Sequence, residues 1–160
     1  MDGHQNKYLL LGIENPLLDI SVTLKDESLF EKYGLKTGNA VLASPEQMPI
    51  YQEIWHMEGR ETIPGGSALN TVRAANFMLS ADHPGKCGFF GCISNDEFGQ
   101  TLEQELHSSG VTSFLSKTTE ADTGSCAVLI HNNERSLVAN LSACLKYPTS
   151  HLQAHLEHIH

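Results

Sequence analysis

The sequence has 160 residues, 40% hydrophobic and 18% charged, a composition that fits a soluble globular domain with its own core and not a disordered chain. Its net charge of −9 provides no basic stripe for phosphate contacts, which argues against nucleic acid as a partner. No apolar run approaches the roughly 20 residues of a transmembrane helix, so no membrane partner is expected.

Tyr8 to Ile13 is a continuous apolar run stopped by Glu14, which predicts a strand buried on both faces. Nothing before Tyr8 reads as a secretory signal. Pro16 lacks an N–H and restricts Asn15 to extended backbone, so the chain turns before a second strand over Leu18 to Leu24. A helix is expected from Glu27 to Tyr33, ended by Gly34. A short strand follows at Asn39 to Ala43, then a helical stretch from Glu46 to Met57. Pro64-Gly65-Gly66 reads as a loop opening a long helix, Ser67 to Leu79, with Ala68, Val72, Ala75 and Leu79 as one buried stripe. Lys86 to Ile93 is a second buried strand. Asp96 caps a helix from Glu97 to Ser109, Gly110 closes it, and Val111 to Ser116 leads into the next strand. Cys126 to His131 and Ser136 to Leu141 form a hairpin about Asn132-Asn133.

Strand, glycine loop, helix, strand, helix, strand is the order of a parallel α/β sheet. The strands around Ile20, Val41, Val128 and Val138 are left over. A small antiparallel sheet beside the α/β layer accommodates them. The four cysteines (Cys87, Cys92, Cys126, Cys144) have no Cys-x-x-Cys or framework spacing and are expected as free thiols in a cytoplasmic protein.

Four stretches carry candidate chemistry. Asn15 and Asp19 lie at the C-terminal side of the first buried strand, where open α/β sheets bind ligands. A carboxylate there can accept hydrogen bonds from a diol, although position alone equally allows Asp19 to hold a turn. Gly65-Gly66 before a helix lets a ligand approach the backbone, with Asn70 one turn in; an ordinary helix entry has the same residues. Gly88 to Gly99 needs no chemistry beyond strand, turn and capped helix. Arg135, beside a hairpin tip, suits a phosphate contact or a solvated surface.

Taken in order, Asn15-Pro-Leu-Leu-Asp-Ile-Ser21, Gly65-Gly-Ser-x-x-Asn70, Phe89-Phe-Gly-Cys-Ile-x-x-Asp96-x-Phe-Gly99, Thr123-Gly-Ser-Cys-Ala127 and Arg135-Ser-Leu-Val-Ala-Asn-Leu141 resemble the adenosine kinases of the ribokinase-like family. The resemblance runs from about Tyr8 to Tyr147. It implies a large α/β domain with a small β-sheet lid, with lid strands near 17–24, 39–43, 124–131 and 136–141 of an N-terminal part spanning 1–147. It implies phosphoryl transfer from ATP, with Mg2+, to the 5′-hydroxyl of adenosine, giving AMP in purine salvage. Asp19 and Asn70 would hold the ribose hydroxyls with the Gly65-Gly66 backbone. Asn15, Leu17, Leu42, Ser67, Cys126 and Leu137 would surround the nucleoside, and Arg135 would approach the phosphate. The full-length enzyme would act as a monomer.

The family's second signature, Gly-Ala-Gly-Asp, supplies an anion hole and the general base. It does not occur in these 160 residues, so no catalytic residue is assigned and the fold is expected to be truncated before its C-terminal half. Two alternatives follow: an inactive nucleoside-binding or interaction fragment, and a ribokinase-like sugar kinase. Residues 148–160 read as a truncated amphipathic tail with Leu152, Leu156 and Ile159 at helical spacing. His151, His155 and His158 fall near one another on it. A histidine pair one turn apart is a zinc pattern, but no third ligand is evident and no metal site is predicted.

Overall fold

The computed structural model describes residues 8–159. Residues 1–7, read above for a leader, and His160, the end of the expected tail, lie outside them. Thirteen strands and α-helices follow in chain order: β1 (Leu10–Ile13), β2 (Leu17–Thr23), α1 (Ser28–Lys32), β3 (Ala40–Leu42), α2 (Ile50–Trp55), β4 (Glu61–Gly65), α3 (Ser67–Leu79), β5 (Cys87–Ser94), α4 (Glu97–Ser108), β6 (Thr112–Thr118), β7 (Ser125–His131), β8 (Glu134–Asn140) and α5 (Thr149–Gln153). Among the described residues no helix is long and apolar enough to cross a membrane.

Two sheets share the core. One is parallel, in the order β1-β5-β6; the other has five strands in the order β3-β8-β7-β2-β4. The second sheet is mixed, where an antiparallel one was expected: β2 runs parallel to β7 and β3 parallel to β8, while β7–β8 and β2–β4 are antiparallel. β2 can run parallel to β7 because a long crossover joins them, and that crossover carries β5 and β6 of the first sheet. Leu18, Ile20 and Leu129 from the mixed sheet and Phe89, Ile93 and Leu102 from the other layer are fully buried between them. Asn132 and Asn133 both take positive φ, 49° and 64°, the two-residue type I′ turn that matches the twist of a hairpin.

Several expectations change. β1 is only partly buried, and Ile13 is 53% exposed, because β1 pairs with β5 alone among the described residues. Pro64-Gly65 belongs to a strand, β4, paired with Leu17 and Leu18 of β2; an edge position tolerates proline. The stretch from Glu46 to Met57 divides into a 3₁₀ turn over Pro45–Gln47 and α2, since Pro45 and Pro49 each fit only at a helix start. The tail forms two short turns, α5 and a 3₁₀ turn at Leu156–His158, in place of one continuous helix.

The Asp96 motif is a structural tie. The Asp96 carboxylate accepts hydrogen bonds from the Gly99 N–H (2.7 Å), the Thr123 N–H (2.7 Å) and the Thr123 hydroxyl (2.6 Å). Thr123 Oγ1 accepts in turn from the Ser94 N–H (2.9 Å). One side chain thus caps α4 and fastens the loop that feeds β7 to the end of β5. Gly99 is required because a Cβ would press on the Ser94 carbonyl and Thr123 Oγ1. Asp96→Ala should therefore cost about 3 kcal/mol of stability, the sum of a lost cap and charge-assisted bonds. Urea unfolding checks this; a loss under about 1 kcal/mol would show that the tie contributes little.

Candidate functional site

Strand alternation builds a cleft on the mixed sheet. Even-numbered residues of β2 (Leu18, Ile20, Val22) enter the core, which sends Leu17 and Asp19 to the opposite face. Register then aligns one row across four strands: Leu42 lies beside Ala139, Ala139 beside Cys126, and Cys126 beside Asp19. Arg135 and Leu137 continue the same face of β8. The first turn of α3 closes the end with Gly66, Ser67 and Asn70. Together with Ala40 and Val41 these residues line a cavity of about 570 Å³.

Nine of the eleven expected site residues line this cavity: Leu17, Asp19, Leu42, Gly66, Ser67, Asn70, Cys126, Arg135 and Leu137. Asn15 and Gly65 do not. They stand behind it. A Cβ on Gly66 would stand 2.6 Å from the Asn15 carbonyl oxygen, and Gly66 has φ 104°, so two constraints demand glycine there. A Cβ on Gly65 would collide with the Asp19 carboxylate. Gly65 therefore makes room for Asp19.

Burial pushes the Asp19 carboxyl up to about 6, against the opposing pull of Arg135 and Arg73. The Cys126 thiol is pushed up to about 12, chiefly by burial and secondarily by the Asp19 charge. It is a neutral wall, not a nucleophile.

Two contributors were missed from sequence. Arg73 Nη1 donates to the Pro64 carbonyl at 3.0 Å and to Asn70 Oδ1 at 3.4 Å. A guanidinium only donates, so it turns Asn70 with its oxygen inward and leaves the amide N–H groups free to face a ligand. Glu14 accepts from the Ser67 hydroxyl (2.7 Å) and from the Ala68 N–H. Neither had a sequence signal, since each acts through a contact between separate elements or one helical turn away.

The tail histidines pack against the parallel sheet, away from this cleft. His155 and His158 stand 5.4 and 4.9 Å from the Phe114 ring, and His151 Nε2 lies 3.2 Å from the Phe114 carbonyl oxygen. Among the described residues no three His, Cys, Asp or Glu side chains converge as a metal site.

A parallel α/β sheet beside a second sheet that carries a polar-ended cleft is the N-terminal portion of a ribokinase-like fold. Residues 28–160 match the model of the pfkB family carbohydrate kinases, and the chain belongs to that family. It is 39% identical over 145 residues to adenosine kinase 2 of Arabidopsis thaliana, covering 91% of this chain and 41% of that protein. The adenosine kinase of Trypanosoma brucei brucei superposes with a TM-score of 0.86 at 37% identity, over 92% of this chain and 44% of that one. The Schistosoma mansoni enzyme in complex with adenosine gives 0.81 at 30% identity, over 98% and 44%. The chain spans less than half the length of the relatives it matches.

Proposed function

We propose that the cleft binds adenosine and that the chain carries the nucleoside-binding part of an adenosine kinase, which phosphorylates the ribose 5′-hydroxyl to give AMP. The observation that carries this reading is the mixed lining of one cavity, with polar side chains beside an apolar wall. Asp19 and Asn70 offer a carboxylate acceptor and an amide donor, the pair that a ribose diol satisfies. Leu17, Leu42, Leu137, Cys126 and Ala139 offer an apolar wall of the kind a purine needs. The names of the similar proteins agree with it.

ATP and Mg2+ enter as the family's phosphate donor and ion. Among the described residues Arg135 is the one cation lining the cleft, and it is assigned to the phosphate. The described residues offer magnesium no cluster of ligands. A cytoplasmic setting suits four free, buried thiols, and the full-length enzyme is taken to be a monomer.

The apolar wall also separates this reading from a sugar kinase. Calorimetric titration of the chain should show adenosine binding at least tenfold tighter than ribose, since a purine buried on that wall contributes more than about 1.4 kcal/mol. Equal affinities would move the assignment to a sugar kinase. No binding of either would leave an interaction module.

A further inference from the structure

We propose that Glu14 is a positioning residue for this cleft, fixing the first turn of α3 against the β1–β2 corner. The proposal rests on the nucleoside reading for its ligand. α3 begins after Gly66, which has no side chain to cap the unsatisfied N–H groups of the first turn. Glu14 supplies the cap from 53 and 54 residues away, with one carboxylate oxygen on Ser67 Oγ and the other on the Ala68 N–H. A carboxylate is also the charge that a helix N-terminus favours.

The consequence reaches both sides of the cleft. Glu14 adjoins Asn15, whose carbonyl oxygen leaves no room for a Cβ on Gly66, and the same corner leads directly into Leu17 and Asp19. The turn it holds presents Gly66, Ser67 and Asn70. One side chain thus sets the separation between the Asp19 and Asn70 arms. It also takes the only hydroxyl proton of Ser67, so the Ser67 oxygen faces the cleft purely as an acceptor. Glu14 itself does not line the cavity.

The test uses Glu14→Gln, which keeps the shape but replaces one accepting oxygen with an amide that only donates. Adenosine affinity should fall about tenfold. In a Ser67→Ala background the same change should cost about threefold, because one of the two bonds that Glu14 accepts is already gone. Amide exchange at Ala68 should accelerate at least tenfold, while Val72 to Asn76 keep their protection. A lower melting temperature with affinity within twofold of the unsubstituted chain would make Glu14 a stability residue only and overturn the proposal. If the unsubstituted chain binds no adenosine, the nucleoside reading fails on its own. Exchange at Ala68 then decides, and an unchanged rate in Glu14→Gln overturns the clamp.

Discussion

Incubated with ATP, magnesium and radiolabelled adenosine, the 160-residue chain is expected to form no AMP above background while still binding the nucleoside. Phosphoryl transfer depends on positioning and on charge stabilisation around the transferred group. Among the described residues the cleft offers one cation for that task, Arg135, and it stands on an exposed stretch of β8. Among the described residues the only carboxylate lining the cleft is Asp19, which the proposed reading commits to the diol and not to the attacked 5′-hydroxyl. No Gly-Ala-Gly-Asp stretch occurs in the sequence to supply a base or an anion hole. A missing general base costs about 10²–10⁴ in rate and a missing anion hole about 10²–10³. Together they place turnover at least about 10⁴-fold below an ordinary kinase rate. Turnover near 1 per second, the ordinary range, would show that residues within this chain perform both roles. The Asp19 variants below would then identify whether that aspartate is one of them.

The local signals in the sequence were strong where one element decided its own ends. α3 runs from Ser67 to Leu79 as its periodicity predicts, because Gly66, at φ 104°, turns the chain out of β4 and the apolar spacing persists along the helix. Its buried face differs slightly: Leu69, Val72 and Asn76 are the buried residues, with Ala68, Ala75 and Leu79 at the margin. Asn132-Asn133 set the hairpin for a similar reason, since asparagine tolerates positive φ. β4 was illegible because Pro64-Gly65 carry the composition of a loop, and only the neighbouring β2 makes an extended edge strand of them. The mixed sheet was illegible because strand direction depends on the path of the chain between strands, which alternation does not record.

The placement of the candidate site followed the same division. The family resemblance carried by the ordered motifs named nine residues that line the cavity, and period-two alternation explains why the strand residues among them share one face. Contacts between distant segments were not readable. Glu14 looked like the end of an apolar run, and its carboxylate instead spans to a helix more than fifty residues on. The Asp96 stretch looked like a helix cap, which it is, but the bonds to Thr123 that tie the two sheets together needed the fold.

Asp19→Ala is expected to weaken adenosine binding about a hundredfold at pH 7.5 and to leave folding nearly intact. A half-buried carboxylate accepting from two ribose hydroxyls makes charge-assisted bonds worth roughly 1.5–3 kcal/mol each at most. A net loss on the order of 3 kcal/mol corresponds to about a hundredfold in affinity. Burial raises this carboxyl from 3.8 to about 6, and that shift fixes the sign of two pH effects. The native state holds the Asp19 proton more tightly than the unfolded chain, so this group's contribution to stability is fully present below about pH 4. It is lost as pH rises through about 6. Adenosine affinity should run the other way, rising through about pH 6 as the carboxylate that accepts the diol forms. In Asp19→Ala both slopes should flatten between pH 4 and 7. At neutral pH the variant should lose less than about 1 kcal/mol of stability, since removing a desolvated charge offsets the lost contacts. Denaturant titration and calorimetry across that pH range, on one preparation, measure both quantities. An aspartate that merely holds a turn predicts a lower melting temperature with adenosine affinity unchanged, and that result would remove Asp19 from the site.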